Sequence, residues 1–89
     1  MAIETMSPAL ALLVDIAIGR IRAGLVPREV AFQQFTRAAG ERVCGICDAA
    51  MSEDDYAYEL SAPSGAVCHF HVPCFDAWTS ACAQLDSQT

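Results

Sequence analysis

Two short motifs constrain this chain more than anything else in it. Cys44-Gly45-Ile46-Cys47 is followed, after a gap of 23 residues (48 to 70), by His71-Val72-Pro73-Cys74. Two thiols spaced CxxC and an imidazole with a thiol spaced HxxC can close a tetrahedron around one metal ion. Three sulfurs and a nitrogen form a donor set that zinc takes in structural sites, with no position left open for a substrate. The spacing therefore predicts one Zn²⁺ per chain, held by Cys44, Cys47, His71 and Cys74. It also argues against an enzyme.

The metal answers a problem of size. A chain of 89 residues buries a modest fraction of its unfolded surface, so a metal or a partner subunit usually supplements the core. A hydrophobic share of 54 % is nevertheless ample to offset ordering entropy, which excludes a disordered chain. The longest apolar run, Pro8 to Ile18, is broken by Asp15 and too short to span a bilayer. No cation precedes that run, and no small-residue cleavage site follows it, so a signal peptide is not expected. These features point to the cytoplasm, where cysteines are reduced; five of them is in any case an odd number for a disulfide framework.

Charge is divided unevenly. Residues 1 to 43 hold all five arginines against four acids, Glu4, Asp15, Glu29 and Glu41, a net charge of +1. Residues 44 to 89 hold seven acids and no lysine or arginine. Three thiolates around a divalent ion would add one more negative charge there. An acidic finger repels phosphate, whereas affinity for nucleic acid comes chiefly from neutralising it.

The local signals predict a small α+β chain in two parts. Residues 1–40 read as an N-terminal helical hairpin suited to dimerisation, and residues 41–89 as a treble-clef zinc finger. Ser7-Pro8 is a helix-start signal, and Gly24 a stop. Between them, Leu10, Leu13, Val14, Ala17, Ile18 and Ile21 share one face, with Leu12 and Ile16 outside it. A helix apolar on so many sides needs cover on more than one: this chain's own second helix and finger can supply it, or a second copy in a homodimer, which the short length of chain available favours. Pro27 to Gly40 reads as a second helix, with Ala31, Phe32, Phe35 and Ala39 on one side. Gly45 permits the sharp turn of a zinc knuckle. Residues 56–60 and 66–70 read as two strands joined by a turn at Ser61, Pro63, Ser64 and Gly65. From Pro73, the residues Cys74, Trp78, Cys82 and Leu85 follow at helical spacing.

Other residues compete for the metal less well. Cys68 alternates with Phe70, so it faces away from His69 and His71 and into a packed layer. His69 reads as a solvent-facing strand histidine, Cys82 as core, and Trp78 as the centre of the finger. Three enzymatic readings find no context: a dithiol redox motif needs a βαβ setting, a nucleobase deaminase needs a CxxC after Pro73, and a RING-type ligase needs a second quartet. Glu53-Asp54-Asp55 lacks the spacing of a calcium loop.

The ligand pattern Cys44-x2-Cys47…His71-x2-Cys74-Phe75 resembles the first zinc half of a LIM domain. The ligands of a second half do not follow Cys74, which leaves a single-zinc treble clef. The chain also resembles small bacterial proteins with a C-x2-C…E-Y-E…F-H-x2-C…W pattern after a helical start. Here the pattern appears as Gly24-Leu25-Val26-Pro27, Cys44, Cys47, Tyr58-Glu59, Phe70-His71, Cys74 and Trp78. That resemblance implies zinc and a bacterial cytosolic setting. Together the readings predict a non-catalytic, zinc-stabilised protein–protein interaction module, a homodimer with a further protein partner. The competing expectations are a transcription regulator touching nucleic acid through the arginine-bearing helices, and a thiol redox or zinc-sensing switch.

Overall fold

Residues 8–37, 42–52 and 55–87 are described by the structure, a computed structural model. The elements run α1 (Pro8–Arg22), β1 (Phe32–Arg37), β2 (Arg42–Val43), β3 (Ala50–Met51), β4 (Tyr56–Ser61), β5 (Val67–Phe70) and α2 (Val72–Ser87). The chain is thus a small α+β fold with antiparallel strands. Among the described residues no helix is long and apolar enough to cross a membrane.

α1 begins at Pro8, whose missing N–H costs nothing at a first helical position. Ser7, read as its cap, lies outside the described residues. The helix closes where Gly24 turns left-handed, at φ 77°. There the Leu25 amide bonds the Arg20 carbonyl at 2.9 Å and the Gly24 amide bonds the Ile21 carbonyl at 3.1 Å. This is the paired closure of a Schellman motif, which only a residue without a Cβ enters freely.

The second predicted helix does not form. Phe32–Arg37 is instead β1, antiparallel to β4 with Phe32 opposite Ser61 and Arg37 opposite Tyr56. The helical hairpin expected over residues 1–40 is therefore one helix followed by an edge strand; Gly40, its expected end, lies outside the described residues. The spacing of Phe32 and Phe35 suits a helix, but the partners that decide the matter come from β4. Phe35 stacks on Tyr56 with centroids 5.3 Å apart and lies 5.0 Å from Tyr58. Gln34 Nε2 donates to Glu59 Oε1 at 2.6 Å. Cross-strand pairs of this kind, together with the strand preference of Phe and Thr, outweigh a helical spacing of apolar residues.

β4 and β5 form the expected hairpin, with Tyr58 opposite Phe70 and Leu60 opposite Cys68. Gly65, at φ 96°, turns the chain between them. The three-stranded sheet has the order β1-β4-β5, and β2 with β3 makes a separate two-stranded ribbon.

One face of the sheet carries α2. Tyr58 stacks on Phe75 with centroids 3.8 Å apart, and Phe75 and Phe70 both meet Trp78. α1 packs on α2, and Val14 and Ala17 join Ala77 and Ala81 in the same buried cluster as Leu60, Phe70 and Ile46. Those alanines are small enough to let the helix backbones approach. The Trp78 indole N–H donates to the Pro27 carbonyl at 2.8 Å, tying the segment after α1 to the last helix. Trp78 is core, as its spacing predicts.

Candidate metal centre

Cys44 and Cys47 lie at the tip of the β2–β3 ribbon. The loop is closed by the Cys44 amide bonding the Ala49 carbonyl at 3.0 Å and by the Asp48 amide bonding the Cys44 carbonyl at 3.1 Å. The Ile46 amide points at Cys44 Sγ from 3.4 Å. Donors aimed at a sulfur in this way favour the thiolate that a metal requires.

The glycine of this loop acts differently from what the sequence suggests. The left-handed residue of the knuckle is Asp48, at φ 64°, and Gly45 is not among the positive-φ positions. Gly45 is needed for space: a Cβ there would stand 2.8 Å from Phe70 Cε1 and 3.2 Å from Val26 Cγ1. Its amide also bonds the His69 carbonyl at 2.9 Å, which hangs the knuckle on the edge of β5.

His71 and Cys74 come from the start of α2. The Phe75 amide bonds the His71 carbonyl at 2.8 Å, so His71 is the cap residue and Cys74 the third residue of the helix. Side chains at those two positions sit side by side, which is why the HxxC spacing works. A thiolate there also meets the positive end of the helix dipole.

The four ligand atoms of Cys44, Cys47, His71 and Cys74 all lie within 4.8 Å of one another, a group able to hold a metal ion. Cys47 Sγ stands 3.4 Å from His71 Nδ1. Bond lengths to a tetrahedral zinc set that sulfur–nitrogen edge at about 3.6 Å. The residues present fit such an ion. Cys44 and Cys74 are buried, while Cys47 is exposed.

The thiols do not share one acidity. Burial raises the Cys44 value, but the amides of Cys47, His71 and Ile46 and the Cys74 thiol outweigh it and leave Cys44 below the ordinary thiol range. Cys74 moves the opposite way, through burial, its hydrogen bond to Cys44 and the negative charge of Cys44 and Cys47. Of the two, Cys44 is the one whose surroundings favour the thiolate.

Cys68, His69 and Cys82 stay outside the cluster. Cys68 pairs with Leu60 in the packed layer, and burial followed by the charge of Cys44 pushes its thiol up to about 11. His69 is a partly buried strand histidine rather than a solvent-facing one, with Nε2 3.1 Å from Glu59 Oε2. Cys82 rests near the Arg28 carbonyl.

Arg20 is the residue that motif reading missed. Its Nη1 donates to the Gly45 carbonyl at 3.2 Å and to Asp48 Oδ1 at 2.8 Å, and its Nη2 donates to Asp48 Oδ2 at 2.6 Å. From sequence it reads as a cation at the negative end of α1; no local pattern connects it to a loop 25 residues on.

No family model matches this sequence, and neither a curated protein nor a solved structure matches it significantly.

Proposed function

We propose that this chain is a zinc-stapled, non-catalytic interaction module of treble-clef type. The observation that carries the reading is the convergence of three sulfurs and one imidazole nitrogen within 4.8 Å. Four protein ligands fill a tetrahedral shell and leave no site for a substrate or an activated water. The order of elements supports the treble-clef assignment: a knuckle, a β-hairpin, then a helix whose first turn brings the last two ligands. Structural zinc binding is worth about 10–16 kcal/mol in small finger peptides at neutral pH, so in this chain it would be largely folding energy.

The surface supports an interaction role. Leu12 on α1 and Phe32 and Phe35 on β1 are each more than half exposed, a large apolar offering for so short a chain. An open groove of about 1010 Å³ also lies between the segment after α1 and the β4–β5 turn, with Leu25, Val26, Pro63, Val67 and Cys68 along it. A second copy meeting the outer side of α1 is the expected partner, with the groove and β1 left for another protein. Nucleic acid fits less well, since Arg20 and Arg28 are engaged by Asp48 and Asp86 of the acidic half.

Native mass spectrometry of protein purified without added metal tests both parts. The expected mass is a dimer carrying one zinc per chain. A metal-free chain with five free thiols overturns the proposal. A zinc-loaded monomer removes the second copy and leaves the stapled module.

A further inference from the structure

We propose that Arg20 is a positioning residue of the metal site, clamping the Cys44–Asp48 loop to α1 and setting how long the metal is retained. The inference rests on the metal reading above.

Both ends of the clamp are fixed. At one end, the Arg20 carbonyl accepts the Leu25 amide at 2.9 Å in the Schellman closure of α1, so the residue starts from a capped helix terminus. At the other, the guanidinium takes both oxygens of Asp48 and the Gly45 carbonyl. A two-pronged guanidinium–carboxylate pair sets orientation as well as distance. Asp48 directly follows the ligand Cys47, and its left-handed backbone aims the carboxylate. Asp and Asn tolerate that conformation where most residues do not.

Charge acts in the same direction. Three thiolates around a divalent cation would carry a net charge of −1, and Arg20 sets a cation against the backbone of the loop that bears two of them, at the Gly45 carbonyl 3.2 Å away. A neighbouring cation favours thiolate over thiol. Loss of a metal from a thiolate set starts at a ligand that solvent reaches, and Cys47 is exposed where Cys44 and Cys74 are buried. The loop that Arg20 holds is the one that carries Cys47. Groups that hydrogen-bond a ligating side chain directly are typically worth about 10–100-fold in metal affinity; Arg20 holds the loop rather than a ligand atom, through a pair exposed on the Asp48 side, so its effect is smaller.

The test follows zinc transfer from the loaded full chain to the chromophoric chelator 4-(2-pyridylazo)resorcinol. Arg20→Met is expected to release zinc about 3–10-fold faster than the parent chain. Arg20→Lys, which keeps the charge but not the fork, and Asp48→Asn should fall between the two. Cobalt-loaded samples should keep the parent's sulfur-to-metal absorption band, showing that the ligand set is intact and only retention has changed. Arg20→Met release within about twofold of the parent rate overturns the proposal. Should Arg20→Met fail to fold, Asp48→Asn decides: faster release supports the clamp and an unchanged rate overturns it. A parent chain that takes up no zinc is a separate result, and it defeats the metal reading itself.

Discussion

Phe70 packs so closely against Gly45 that a methyl group on the glycine would stand 2.8 Å from the ring. The contact joins the knuckle to the wholly buried side chain of the last strand residue before His71. It therefore ties the loop bearing Cys44 and Cys47 to the strand that leads into His71.

Gly45→Ala should destabilise the zinc-loaded protein by about 1–3 kcal/mol, the usual cost of overpacking a filled core. The comparison is Gly19→Ala, an exposed position within α1 where a Cβ meets nothing within 4 Å. That change should stabilise by about 0.5–1 kcal/mol through helix propensity. Urea midpoints of the two variants should move in opposite directions.

On the proposed reading, removing the metal should unfold the part of the chain around the Cys44, Cys47, His71 and Cys74 cluster. A strong chelator, or Cys47→Ser, should redden the emission of Trp78, which is 8 % exposed, and collapse near-ultraviolet dichroism. Cys68→Ala and Cys82→Ala, outside the cluster, should keep one zinc per chain by mass. A Cys47→Ser protein that stays folded without metal would count against the stapled module.

Trp78→Phe should cost about 1–2 kcal/mol by leaving the Pro27 carbonyl without its indole donor. Thermal unfolding should register the loss with the zinc content unchanged, because the change removes a tie between the post-α1 segment and α2 and none of the four candidate ligands.

Glu59→Gln addresses pH. The Gln34 amide, then His69, hold the Glu59 carboxyl below its ordinary value of 4.5. A depressed carboxyl contributes stability that is present above that ordinary value and is lost as pH falls through the lower folded one. The variant should thus be weaker at pH 7 by about 0.5–1 kcal/mol, allowing for solvent screening of a partly exposed group. The gap should close as pH drops below 4.5, read as converging urea midpoints.

Much of the site was legible in the sequence because its chemistry is local. CxxC fits one hairpin loop, and HxxC fits the cap and third positions of one helix, so each pair is preassembled by its own few residues. Strand alternation in 56–61 and 67–70, helical spacing in α2 and the Gly24 stop were legible for the same reason.

Tertiary structure alone decided the rest. Residues 32–37 carry a spacing that a helix or a strand can use, and Tyr56, Tyr58 and Glu59 settled it from about twenty residues further along the chain. Gly45 reads as a turn glycine until Phe70 and Val26 are seen beside it. Arg20 reads as a helix-end cation until the fold brings Asp48 to it. Local sequence determined which side chains form each candidate ligand pair and where the chain turns. Which of two feasible conformations wins, and which neighbours tighten the site, depended on contacts that exist only after the chain has closed on itself.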